Sequence, residues 1–220
     1  LLVPTATAPA DGRRLVAYAV AEDGLSTACA PSYQMHQGIR PNEAAPLLRA
    51  GTALVVPDYE GPDSAFTSGM QAGHAILDAI RAATSFAPAG FPGRKTRVGL
   101  WGYSGGGQAA AWAAELHGEY APDVDVAGVA FGGAPADMGA TLHVLDGAPY
   151  SGVVFLSAIG LSRAYPEAKF TSLYNAKGRE MLADLADACL TKAVVGYGGQ
   201  RLADYVTVPD VRAVPAFRKV

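Results

Sequence analysis

Charge is scarce in this 220-residue chain: Asp, Glu, Lys and Arg make up 17%, and the formal net charge is only −3. About a quarter is usual in a globular protein. With 50% of residues apolar, the composition excludes a disordered tail and leaves ample material for a core. Basic clusters are lacking too. That argues against a nucleic-acid partner, because phosphate backbones are bound by grouped Lys and Arg. No apolar run approaches the roughly 18 residues of a membrane-spanning helix, so no transmembrane anchor is expected. The longest candidate, Gly152 to Leu161, is too short. Cysteine is limited to Cys29 and Cys189, with no CxxC pair and no histidine at ligand spacing. No metal site and no cofactor are therefore expected. Two buried thiols and one long-range disulfide both remain open on number alone.

Glycine is abundant, with 26 residues beside 15 prolines, which implies tight turns between short elements. The length suits one large domain or a core with a cap. The chain opens Leu1-Leu2-Val3-Pro4, without the basic-then-apolar pattern of a leader, so the compartment is not read from this end. No internal repeat or low-complexity linker interrupts it.

Leu15 to Val20 reads as a strand, Pro46 to Ala50 as a short helix, and Ala53 to Val56 as a continuously apolar strand buried on both faces. Ser68 can cap a helix whose stripe is Ile76, Leu77 and Ile80. Arg97 to Trp101, Gly106 to Leu116 and Val124 to Phe131 follow as strand, alanine-rich helix and strand. Alternation with such short connections predicts a parallel α/β sheet. After Pro135 the pattern changes. Asp137 to Lys192 reads mostly as helices, with Leu182, Leu185 and Leu190 on an apolar face. The expected organisation is a sheet core over 1–135 and a helical cap over 136–220.

Gly102-Tyr103-Ser104-Gly105-Gly106 fits G-x-S-x-G where a strand hands over to a helix. A serine Oγ is presented for attack when the strand turns sharply into the helix, and flanking side chains would block that turn. The helix N-terminus adds free N–H groups beside a developing oxyanion. A base and an orienting carboxylate are expected in the order Ser, acid, His. Of His36, His74, His117 and His143, only the last two follow Ser104. His117 lies about three turns along the helix that Ser104 begins, and His143 leaves no room for a strand bearing the carboxylate. No complete triad can be assembled. The chain is either a piece of an enzyme or a non-catalytic relative.

Several blocks, in order, carry a resemblance. They are Cys29-Ala30-Pro31-Ser32-Tyr33, Val55-Val56-Pro57-Asp58-Tyr59-Glu60-Gly61, Ala75-Ile76-Leu77-Asp78-Ala79-Ile80-Arg81 and Gly102-Tyr103-Ser104-Gly105-Gly106-Gly107. Tyr120-Ala121-Pro122, Gly132-Gly133-Ala134-Pro135 and Asn175-Ala176-Lys177-Gly178 continue it. The chain resembles the secretory lipase family, the fungal and actinobacterial lipase A type within the α/β-hydrolases. The resemblance implies an exported serine carboxylester hydrolase acting on acylglycerols, with Ser104 as nucleophile. It implies an oxyanion hole from Asp58 and the Gly105 N–H, although a carboxyl donates only when protonated. It implies a Cys29–Cys189 bridge tying core to cap, and a cap that shapes the acyl pocket and makes transient contact with lipid surfaces. The apolar stretch around Phe155, Ile159 and Leu161 is then expected to line an acyl channel above Ser104 or to pack the cap. The triad Asp and His are expected beyond Val220, leaving these 220 residues close to inactive. The alternatives are a lipid-binding relative without the triad and, among hydrolases, a peptidase.

Overall fold

The computed structural model describes residues 1–10, 12–21 and 23–215. Two compact units emerge. The first comprises Leu1–Glu22, Pro31–Gly61 and Gly69–Pro135, and the second Asp23–Ala30, Pro62–Ser68 and Ala136–Val220.

The first unit is built on four parallel strands: β1 (Leu15–Ala19), β2 (Ala53–Val55), β3 (Arg97–Tyr103) and β4 (Asp125–Gly132), in the order β2-β1-β3-β4. The helices are α1 (Pro31–His36), α2 (Ala45–Arg49), α3 (Gly69–Ser85) and α4 (Gly105–Tyr120). In α3, Ile76, Leu77 and Ile80 are buried, the stripe expected from their spacing. They join Leu15, Ala17, Val98, Leu100 and the alanines Ala109, Ala110 and Ala113 of α4 in one core. Small alanines let α4 lie close on the sheet. Across the sheet, Tyr18, Leu54 and Val56 form a second cluster with Ala44, against which Leu47 and Trp101 pack. Tyr18 donates its hydroxyl to Glu43. Burial, reinforced by that bond, holds its phenol well above the ordinary range. The six-residue α1 is an addition to the elements read from sequence.

In the second unit, α5 (Met138–Leu145), α6 (Gly152–Ala164), α7 (Ala176–Leu185) and α8 (Leu190–Tyr197) surround Phe155, Leu156, Met181 and Leu185. Asp137 and Asn175 cap α5 and α7, accepting from the Ala140 and Gly178 N–H groups. The cap drawn at 136–220 is incomplete, because 23–30 and 62–68 belong to the same unit. The reason is burial: Leu25 and Phe66 sit in breaker-rich loops yet enter this core at 2% and 0% exposure. Arg163 fastens both loops, donating to the carbonyls of Leu25 (2.8 Å) and Asp63 (3.0 Å). Cys29 and Cys189 are bridged, with Cα atoms 5.6 Å apart. Both cysteines lie in the second unit, so the bridge does not join it to the first as expected. Among the described residues no helix is long and apolar enough to cross a membrane.

Tyr174 lies in this core, and burial pushes its phenol up from 10.0 to about 12. Below pH 10 the phenol is neutral whether folded or unfolded. Between about pH 10 and 12 the unfolded chain ionises it while the folded chain keeps it neutral, so stability falls as pH rises. Tyr174→Phe should remove on the order of 2 kcal/mol of that alkaline loss. Urea midpoints for both proteins at neutral and alkaline pH check this; parallel declines would refute it.

Candidate functional site

The handover from β3 to α4 is a strained turn. Ser104 has φ 56° and ψ −124°, and its side chain makes no capping hydrogen bond. A non-glycine residue at positive φ is held there only by its surroundings. Those surroundings are backbone. A Cβ at Gly102 would stand 2.1 Å from the Gly106 carbonyl oxygen, and one at Gly106 would stand 2.1 Å from that of Ala19. Both positions therefore exclude any side chain. The Ser104 N–H donates to the Gly132 carbonyl at 2.9 Å, and the Ser104 carbonyl accepts from Gln108 at 3.0 Å. Ser104 is exposed. The Gly105 N–H, opening a 16-residue helix, has no intrahelical acceptor and carries the positive end of the dipole. An exposed hydroxyl beside such a donor is suited to acyl transfer.

Gly106→Ala should destabilise the chain by about 3 kcal/mol, because neither backbone oxygen that its Cβ meets can rotate away. Gly118→Ala, in the same helix with nothing within 4 Å, should be neutral or stabilise by about 0.5–1 kcal/mol. Urea melts of the two variants check the contrast, and equal effects would refute it.

Among the described residues, none of the four histidines hydrogen-bonds Ser104. The His117 Nε2–H donates to the Val124 carbonyl at 2.7 Å, and the His74 ring packs tilted against Tyr120, with centroids 4.3 Å apart. His36 ends α1, and His143 lies on α5 in the second unit. A surface network holds α3 to the end of α4: Arg81 pairs with Asp123 at 2.6 Å and Asp78 at 3.2 Å. The guanidinium keeps the Asp123 carboxyl below its ordinary range.

Asp58, expected at the oxyanion hole, is partnered by Ser32. Its Oδ1 accepts from the Ser32 N–H at 2.8 Å and its Oδ2 from the Ser32 Oγ at 2.5 Å. Here Asp58 fastens the first turn of α1 to the loop after β2. Ser32 and the Gly132 carbonyl are the residues that sequence reasoning missed. No local pattern pairs Ser32 with a carboxylate 26 positions on.

Phe155, Ile159 and Leu161 are buried on α6. Phe155 packs on Tyr197 and Tyr205, with ring centroids 5.3 and 4.8 Å away. A cavity of about 200 Å³ in the second unit is lined by Leu142, His143, Asp146, Val154 and Leu202 among others, and by none of those three. Among the described residues no cluster of His, Cys, Asp and Glu could hold a metal ion.

The pattern of the secretory lipase family matches residues 37–212. A Mycobacterium tuberculosis protein named "Probable inactive lipase MT1628" is 35% identical over 98% of this chain and 51% of its own length. The secreted triacylglycerol lipase LIP2 of Malassezia furfur is 38% identical over 88% of this chain and 44% of its own. Candida antarctica lipase A superposes with a TM-score of 0.87 at 32% identity, over 98% of this chain and 52% of that one. The esterase LipA of Xanthomonas oryzae, at TM-score 0.71 and 16% identity, shares the fold. The chain spans about half the length of the relatives it matches.

Proposed function

This chain belongs to the secretory lipase family, and from that membership we propose that it forms the nucleophile-bearing part of an exported serine carboxylester hydrolase acting on acylglycerols. The observation that carries the reading is the exposed Ser104 at φ 56°, between a parallel strand and a helix N-terminus. In the proposed reaction the Ser104 Oγ bonds to the ester carbonyl carbon while its proton passes to a histidine base. The carbonyl oxygen becomes an oxyanion held by the Gly105 N–H. Collapse breaks the bond to the alkoxy oxygen, which leaves with that proton as the alcohol, and the acyl group stays on Ser104. Water then attacks the acyl-enzyme, its proton returning through the base to Ser104 as the fatty acid departs. Among the described residues none of the four histidines of this chain hydrogen-bonds Ser104. We therefore assign the base and its carboxylate to sequence that follows Val220.

The bridged cysteines support export. Val144, Tyr150 and Val195, all more than 60% exposed in the second unit, support a transient contact with lipid surfaces. Acyl binding by Phe155, Ile159 and Leu161 is the finer proposal. An unchanged acyl-length preference in an Ile159→Phe variant would leave them packing alone. The relative named an inactive lipase favours a second reading, a lipid-binding protein without hydrolysis.

The deciding experiment compares three proteins on one fatty-acid ester and its matched amide: this chain, a longer protein carrying it, and the longer protein with Ser104→Ala. Ester turnover by the longer protein alone is expected. Full turnover by the 220-residue chain would show a base among its own histidines. Preferred amide cleavage would make it a peptidase, and no turnover by any would favour the binder.

A further inference from the structure

The elbow glycines explain why Ser104 can turn; they do not explain what holds it turned. The hydrogen bond from the Ser104 N–H to the Gly132 carbonyl does that, at 2.9 Å. Its acceptor, however, belongs to a pair of glycines. Gly132 ends β4, an outer strand of the sheet, and Gly133 follows at φ 59°. Two successive residues without a Cβ have many conformations to lose on ordering.

The Tyr103 side chain lies on this pair. Tyr103 is the cross-strand partner of Gly132 in the β3–β4 register. The three heavy atoms nearest to a Cβ built at Gly133 all belong to its ring, with Cζ at 3.0 Å. A Cβ at Gly132 would meet the same ring at 3.4 Å. An aromatic ring folded over a cross-strand glycine restores the packing that the missing side chain would supply. Yet Tyr103 is 66% exposed, so core burial does not account for its placement. Its neighbour in sequence is the nucleophile.

We propose that Tyr103 is a positioning residue for Ser104: its ring pins Gly132 and Gly133, which keeps the Gly132 carbonyl on the Ser104 N–H. With that N–H occupied and the turn fixed, the Gly105 N–H stays free at the helix N-terminus beside Ser104. The inference rests on Ser104 as nucleophile for its meaning, though not for its test.

The test is residue-resolved amide hydrogen exchange on the 220-residue chain, which reads the backbone without chemistry. Tyr103→Ala should speed exchange at the Ser104 amide about tenfold, the scale of one net hydrogen bond, with the Val98 and Leu100 amides unchanged. Tyr103→Phe should keep the native rate, because the ring rather than the hydroxyl makes the contact. Gly133→Ala should speed the same amide by displacing the ring. Tyr103→Leu provides a milder truncation if the alanine variant does not fold, with the same expected direction. A Ser104 amide that exchanges at the native rate without the ring would overturn the proposal, as would uniform acceleration along β3. In the longer protein, Tyr103→Ala should lower kcat with KM nearly unchanged. Esterase activity surviving Ser104→Ala would sink the nucleophile reading and leave the exchange result standing, so the two failures are separable.

Discussion

Ser104→Ala is expected to lower ester hydrolysis on the order of 10⁴–10⁶-fold in the longer protein while leaving folding unchanged. At about 1.4 kcal/mol per tenfold, that is roughly 5–8 kcal/mol of transition-state stabilisation, far more than one hydroxyl contributes to a fold. The fold is insulated because Ser104 is exposed and its Oγ caps nothing. Alanine carries the same Cβ as serine into φ 56°, so the backbone strain is common to both proteins. What remains in the variant is the Gly105 donor and substrate binding, which alone leave about 10³–10⁴-fold over the uncatalysed reaction. Measuring kcat and the urea midpoint on the same preparations separates the roles. Intact turnover would place the nucleophile elsewhere, and a fall in both quantities would assign Ser104 to the fold.

The sheet and the elbow were legible because their causes are local. Ala53-Leu54-Val55 is apolar at every position and is buried at every position, as a strand covered on both faces must be. Gly102 and Gly106 stand where a Cβ would meet backbone oxygen, so the motif reports a steric requirement. The helices of the second unit were legible too, but its two loop segments were not, because Leu25 and Phe66 are single apolar residues inside breaker-rich loops. Their burial is set by partners far along the chain, and no periodicity marks it. The same distance hid α1, whose Ser32 is fastened by Asp58 from another loop. At Asp58 the matching loop locates the residue, and the structure adds its partner Ser32, which no local pattern announces. The bridge was drawn between the right cysteines and across the wrong boundary, for the reason that hid Leu25: residues 23–30 precede the sheet's second strand yet pack with the helices.

Opening the Cys29–Cys189 bridge should cost the second unit about 2–5 kcal/mol. The bridge closes 160 residues of sequence, and loop-closure entropy for that length sets the upper end near 5 kcal/mol. The lower end follows from what else holds 23–30 in place. Leu25 donates its N–H to the Ala188 carbonyl at 2.8 Å, and Leu190 donates to that of Asp23 at 2.9 Å. Arg163 binds the Leu25 carbonyl from a third direction. These contacts survive reduction, so the segment should loosen rather than leave. Each, however, joins chain ends that the bridge would no longer keep close, and short strand pairs are weak without a constraint. A Cys29→Ala/Cys189→Ala double variant should therefore show a lowered urea midpoint that reductant does not change further. The native chain should fall to the same value on reduction. If the native midpoint does not move with reductant, Arg163 and the buried Leu25 carry the attachment alone. Arg163→Met would then become the variant that releases the segment.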